Sequence, residues 1–246
     1  MKRIKLVIAY DGSKYCGWQK QPNAISVEEI INKQLTKMLG EDIEVIGSSR
    51  TDSGVHALGN VAVFDTETRI PADKIAYALN QRLPEDIVIQ SSNEVPLDFH
   101  PRYHKNCKTY EYKILNREFN LPTMRLYYHF VYKKLDTDKM QEAANYLVGE
   151  HDFKSFCSTK TQVQSTVRTI YSLDVIRQGD EIILRVCGNG FLYNMVRIIS
   201  GTLINVGLGI MEPSWIGEVL ASTERMKVGP NAPAHGLTLV NIEFKE

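Results

Sequence analysis

Ten consecutive residues, Gly47-Ser48-Ser49-Arg50-Thr51-Asp52-Ser53-Gly54-Val55-His56, bring together one cation, one anion, four hydroxyls and two glycines. A carboxylate in such company can serve as nucleophile, base or ion partner, and loops held by a rigid scaffold are favoured places for catalytic groups. The same residues also suit a glycine-framed turn in which Asp52 bonds its own backbone amides. His56 has the titration range of a general acid or base, and it also suits a packing or capping place at a strand entrance.

Fewer candidates lie elsewhere. Arg197 falls four residues after Tyr193 and four before Gly201, off the Phe191, Met195, Ile199 stripe of a strongly apolar stretch. Burying a guanidinium there is costly without a carboxylate partner, and snorkelling to the surface is the alternative. Tyr110 and Tyr112 share one face of Lys108-Thr109-Tyr110-Glu111-Tyr112, where core packing accounts for both. Lys14, Tyr15 and Trp18 can reach an RNA, although Trp18 also suits a core anchor. Gly47, Gly54, Gly207 and Gly209 read as turn and cap residues. No G-x-S-x-G, P-loop or H-E-x-x-H pattern is present. The cysteines, Cys16, Cys107, Cys157 and Cys187, include no C-x-x-C pair, mark no metal site and read as free thiols of a cytoplasmic protein.

The elements that must position these groups follow from periodicity and turn signals. Arg3 to Tyr10 alternates as a strand, broken by Asp11-Gly12-Ser13. Ser26 with Glu29 forms a capping box that opens a helix through Leu39, ended by Gly40. Ile43 to Ile46 and Val61 to Phe64 read as strands flanking the polar loop, Ala72 to Gln81 as a helix and Ile87 to Gln90 as a strand. That order is the ferredoxin-like pattern. Further on, Lys108 to Leu115 is a strand and Asp138 to Leu147 a helix ending at Gly149. Val167 to Ile176 and Glu181 to Cys187 form a hairpin, Phe191 to Val206 is an apolar helix, and Gly236 to Phe244 closes with a strand. The expected fold class is α+β: two ferredoxin-like α/β units, residues 1–100 carrying the loop 47–56 and residues 101–246, with a largely antiparallel sheet and a catalytic cleft between them.

Lys+Arg 29 against Asp+Glu 29 sets the formal net charge at zero, which by itself counts against an electrostatic grip on nucleic acid. The charge is segregated, however. Residues 1–20 carry five basic side chains against one acidic, and residues 21–99 six against thirteen. Residues 100–134 carry eight against two, are rich in tyrosine and hold three of the six histidines, while residues 135–246 carry ten against thirteen. Cations interleaved with aromatics fit single-stranded or looped RNA, and they also fit a strand-rich surface with solvated lysines. A composition of 43% hydrophobic and 24% charged residues excludes wholesale disorder, and no apolar run reaches the length of a membrane span.

Arg50-Thr51-Asp52-x-Gly54-Val55-His56-Ala57 resembles the catalytic-loop signature of the tRNA pseudouridine synthase A family. Tyr10-Asp11-Gly12-Ser13-x-Tyr15-x-Gly17-Trp18-Gln19 is similar to its N-terminal signature, Phe99-His100-x-Arg102 with Lys108-Thr109-Tyr110-x-Tyr112 to its second motif, and Phe191-x-x-x-Met195-Val196-Arg197 to its third. Ser49, where many members have glycine, Pro101, where alanine is common, and Gly188-Asn189-Gly190 depart from the pattern without removing a group that the chemistry needs. The resemblance implies a cofactor-free isomerase, with no metal, that converts uridine to pseudouridine at positions 38, 39 and 40 of the tRNA anticodon stem-loop. It implies that Asp52 is the catalytic aspartate, that Arg197 pairs with it and keeps it ionised, and that Tyr110 stacks on the target base. It implies that Arg50 fills the gap left by the flipped nucleotide. It also implies a homodimer that holds one tRNA with both subunits. A non-catalytic RNA-binding module on a ferredoxin-like scaffold would keep the basic, aromatic segment without needing Asp52 and Arg197. A small-molecule hydrolase or transferase using Asp52 and His56 would leave the charge of residues 100–134 unexplained.

Overall fold

Every second side chain of β1 (Lys2–Tyr10) from Ile4 to Tyr10 is buried, the period-2 signature of a strand with one face on a core. The computed structural model describes residues 1–158, 164–222 and 228–244. Contacts group residues 1–105 and the chain from Thr238 onward into one unit, and residues 106–237 into another.

In the first unit, β1 lies between β3 (His56–Thr66) and β4 (Ile87–Val95), antiparallel to both, with Leu6 opposite Ala62 on one side and Ser92 on the other. β2 (Ile46–Gly47) extends the sheet beyond β3, giving the order β4-β1-β3-β2. Helix α1 (Val27–Leu39) starts where Ser26 Oγ accepts from the Glu29 amide and stops at Gly40 in the left-handed region, φ 70°. It buries Val27, Ile31 and Leu35. Helix α2 (Ile75–Asn80) is docked on β4 by side-chain bonds: Asn80 pairs with both backbone groups of Ile89, and Ser92 Oγ bridges Ala72 O and the Ala76 amide. Strand–helix–strand–strand–helix–strand with this strand order is a ferredoxin-like unit.

The second unit holds β5 (Asn106–Asn116), β6 (His129–Val131), α3 (Thr137–Asn145), β7 (Gly149–Asp152), β8 (Val167–Gln178), β9 (Glu181–Gly188), α4 (Met195–Gly207) and α5 (Trp215–Ser222). β5, β9, β8 and β7 are neighbours in that order, all antiparallel, and β6 pairs parallel with β5. The class is therefore α+β with mostly antiparallel strands, as the residue pattern predicts. Among the described residues no helix is long and apolar enough to cross a membrane.

Several boundaries differ from the sequence reading, each for a local reason. Ile43 and Val45 are buried but do not extend β2, because their amides bond to Thr36 Oγ1 (3.1 Å) and Asn32 Oδ1 (2.9 Å) of α1. Helix α4 begins four residues later than expected, since Asn194 adopts a left-handed φ of 62°. Gly149, expected to end a helix, opens β7 instead. The closing strand β10 (Leu237–Phe244), read as part of the second half, pairs parallel with β3 through Thr238–His56 and Leu239–Ala57. Cys107 and Cys187, read as free thiols, form a disulfide between adjacent strands β5 and β9; their separation of 80 residues carries no signal of it.

Helix α4 is buried almost all round, as an apolar helix with no polar face must be. The first of its two glycines admits a neighbouring backbone: a Cβ on Gly201 would lie 2.0 Å from Pro230 O. Gly201→Ala should therefore destabilise the protein by about 1–3 kcal/mol in urea unfolding. A variant as stable as wild type would show that this helix is not packed against that backbone.

Candidate active site

The loop after β2 is fastened on both sides of Asp52. Asn60, on β3 and without solvent exposure, donates to Ser49 O (3.1 Å) and accepts from the Ser49 amide (3.3 Å), so both peptide groups of that residue are held. The same carboxamide donates to the Tyr10 hydroxyl (3.3 Å), which in turn is hydrogen-bonded to Thr51 Oγ1 (2.7 Å). Ser48 donates its amide to Val61 O (2.7 Å) and its hydroxyl to Pro101 O (2.7 Å). Arg102 Nε donates to Gly47 O (2.7 Å). Burial, and then the nearby Arg50 charge, lowers the Arg102 guanidinium below its ordinary value.

The N-terminal segment forms the floor. Gly17, at φ 97°, passes so close that a Cβ would meet Thr51 O at 2.4 Å, and the Trp18 amide donates to that same oxygen. A Cβ on Gly12 would lie 2.0 Å from Val55 O. Trp18 is wholly buried, with its indole against Gly47, so it is a core anchor under the loop. Asp52 itself opens a tight turn: the Val55 amide donates to Asp52 O (3.1 Å), and Gly54 takes the positive φ of 78° that a type II turn needs. Ser53 Oγ and the Gly54 amide both donate to Tyr15 O. The Tyr15 hydroxyl donates to Asp86 Oδ1 (2.6 Å), and burial together with that carboxylate raises its pKa.

His56 is the first residue of β3 and is buried. Its Nδ1 lies 3.1 Å from the Gly12 amide, which donates to it, and 3.1 Å from Asp11 Oδ1. The ring thus braces the N-terminal loop against β3, which is the packing role that a strand-entrance histidine also suits.

In the second unit Tyr110 lies on β5, nearly buried, with its ring edge-on to Phe191 at 5.3 Å. Tyr112 is fully buried and donates to Pro233 O (3.0 Å), and burial pushes its phenol pKa up. Arg197 stands in the first turn of α4, half-buried, with Nε donating to Ala232 O (2.8 Å) and Nη1 to Asn194 Oδ1 (3.0 Å). It is anchored rather than snorkelling. A cation at that end adds to the positive pole of the helix, an arrangement suited to an anion. Asp52 and Arg50 therefore share one loop of the first unit, while Tyr110 and Arg197 belong to the second.

Sequence reasoning passed over Asn60 and treated Arg102 and Gly17 only as motif letters. Asn60 does carry a signal, being a lone amide in the otherwise apolar run Ala57 to Phe64 of β3.

A family model described as tRNA pseudouridine synthase matches residues 6–104 and 143–245. The chain is 51% identical to tRNA pseudouridine synthase A of Ruminiclostridium cellulolyticum over 99% of its own length and 100% of that protein's. It is 49% identical to the protein of that name from Brevibacillus brevis and 47% identical to that from Thermoanaerobacter sp., again over 99% of this chain and 100% of each relative.

Asn60→Ala would remove the buried hydrogen bonds that the carboxamide makes to the Ser49 amide and carbonyl. It should lower stability by about 2 kcal/mol or more, because losing one partner of a buried hydrogen bond costs roughly 1–3 kcal/mol. Urea unfolding checks this; a loss below about 0.5 kcal/mol would show that the loop is held by other means.

Proposed function

The chain belongs to the tRNA pseudouridine synthase family, and from that premise we propose that it converts uridines 38, 39 and 40 of the tRNA anticodon stem-loop, with Asp52 as the nucleophile. The activity is an isomerisation. The N-glycosidic bond at N1 breaks, the uracil turns, and a carbon–carbon bond forms from C1′ to C5; C5 then loses its proton and N1 gains one. Nothing is oxidised and no outside acceptor is consumed. A carboxylate can begin this by attacking C6 of the ring, by attacking C1′, or by promoting elimination from the sugar, and it leaves unchanged in each case. All three routes need an ionised carboxylate held against a uridine that has left its stack.

The observation that carries this reading is the fastening of the loop around Asp52. Asn60 grips Ser49, Tyr10 grips Thr51, and Gly17 lies beneath Thr51, so the carboxylate is carried on backbone with little freedom. Fixing the attacking group in advance is worth several orders of magnitude in rate. The remaining roles extend the proposal. Arg197 serves the reaction as a fixed cation, Tyr110 stacks on the target base, and Arg50, exposed at the loop, takes the place of the flipped nucleotide. The enzyme works in the cytoplasm as a homodimer, so that two modest basic surfaces share one tRNA.

Incubation with unmodified tRNA, followed by mapping of pseudouridine, tests this. Wild type should modify the three positions, and Asp52→Asn should be slower by about a thousandfold or more. Full activity of Asp52→Asn would end the catalytic assignment. Arg50→Ala should reduce turnover by about tenfold or more while changing tRNA affinity, measured at fixed salt, by no more than about threefold. Equal losses in both would contradict the flipping role. Sedimentation of the free protein as a monomer at working concentration would contradict the homodimer.

A further inference from the structure

The turn formed by residues 99–104 stands beside the Asp52 loop in the first unit and has no part in the bond-making chemistry assigned above. It is fixed from beneath. Pro101 O accepts from Ser48 Oγ (2.7 Å), Arg102 Nε donates to Gly47 O (2.7 Å), and Arg3 Nη1 donates to Phe99 O (3.0 Å). Arg3 is itself held by a two-pronged pair with Asp65, at 2.7 Å for each bond. Phe99 packs against Phe244 at 5.0 Å and His104 at 4.7 Å.

On this base Tyr103 is 83% exposed, the most open of the large apolar side chains among the described residues. Its position is nevertheless defined: its amide donates to His100 O, and its ring stacks on the His100 ring at 4.2 Å with 27° between the planes. His100 Nδ1 accepts from the Arg102 amide (3.2 Å), which uses the lone pair of a neutral imidazole. Burial, and then the charges of Arg102 and Arg3, lower the His100 pKa and favour that same neutral form. The stack therefore has one neutral ring below, one open tyrosine face above, and two arginines nearby, Arg102 and Arg50, the charge of Arg50 acting on Arg102.

We propose that Tyr103 is a stacking platform for an unpaired base of the substrate RNA, with Arg102 beside it to take a phosphate of the same nucleotide run. Charge and shape together favour this occupant. A pre-ordered aromatic face set among cations suits a nucleobase on a polyanionic backbone, because every base offers a π-face and every linkage a negative charge. A third ring on the outer face of Tyr103 would continue a stack that His100 has begun. Because Arg102 and Ser48 tie the turn to the Asp52 loop, a base held on Tyr103 fixes the RNA relative to the reacting carboxylate. Tyr103 is thus a positioning and specificity contact and not a catalytic residue. The inference rests on the reading of the substrate as tRNA.

The test uses full-length protein and unmodified anticodon stem-loop RNA, with binding and steady-state turnover measured at one salt concentration. Tyr103→Ala should weaken binding and raise KM by about tenfold, leaving kcat within about twofold. Tyr103→Phe, which keeps the ring, should stay within about twofold of wild type. Abasic substitution at successive loop positions adds a stricter comparison: at one position the effect of Tyr103→Ala should disappear, because its partner base is already gone. Wild-type affinity in Tyr103→Ala, a Phe variant as weak as Ala, or a loss that persists on every abasic RNA would each overturn the platform. Weaker self-association with unchanged RNA affinity would also overturn it and make the face a contact between copies. Absence of pseudouridine with wild type would strike the catalytic reading alone, since the platform is read from binding.

Discussion

The buried carboxamide of Asn60 is the constraint on which the site depends. Its oxygen accepts from the Ser49 and Val61 amides and its nitrogen donates to Ser49 O and the Tyr10 hydroxyl, so one side chain fills its hydrogen-bonding capacity inside the core. Displacing the loop would strand these groups away from water, and a half-broken buried network is costly. Gly12 and Gly17 then press the N-terminal segment so close that a methyl group at either place would overlap backbone. Asp52 therefore stands on a turn whose position is decided by folding and not by substrate. For an isomerisation, which has no net redox step, such preorganisation is a main resource that a protein has.

A second consequence concerns charge. The chain is neutral as a whole, and a uniform neutral surface would hold a polyanion poorly. In the first unit the cations Arg50 and Arg102 are instead gathered at the loop, where Arg102 bonds Gly47 O. Other arginines serve the framework: Arg3 is committed to Asp65 and Phe99 O, and Arg185 to Glu111. In the second unit Arg197 is held by Ala232 and Asn194 at the positive end of α4. The proposed electrostatic recognition thus rests on where a few guanidiniums are fixed and much less on net charge.

Much of the fold was legible because its signals are local. Ser26 with Glu29, Gly40 after Leu39, and Gly179 between β8 and β9 are single-residue signals whose physics acts within a turn. The misreadings arose where distant groups intervened. Ile43 and Val45 have strand-like side chains, but Thr36 and Asn32 claim their amides; Phe191 reads as helical, but Asn194 turns left-handed with its side chain donating to Ser158 Oγ. The pairing of β10 with β3 joins segments at opposite ends of the chain, and no local pattern announces it. At the site, Asp52 and Arg50 stood out by composition, while Asn60 and Arg102 did not, because their importance lies in what they hold. Trp18 shows the reverse. Its type suits either RNA contact or a core anchor, and its place under Gly47 makes it part of the core.

The central claim is that Asp52 is the reacting carboxylate on a loop without slack. Single-turnover release of tritium from C5-labelled uridine in tRNA, compared between wild type and Asp52→Glu, tests both parts together. Adding one methylene moves the same functional group by roughly 1 Å or more, and the account predicts a rate lower by about a hundredfold or more with tRNA affinity unchanged. Release by Asp52→Glu at close to the wild-type rate would contradict it, because either the loop yields or the carboxylate does not take part.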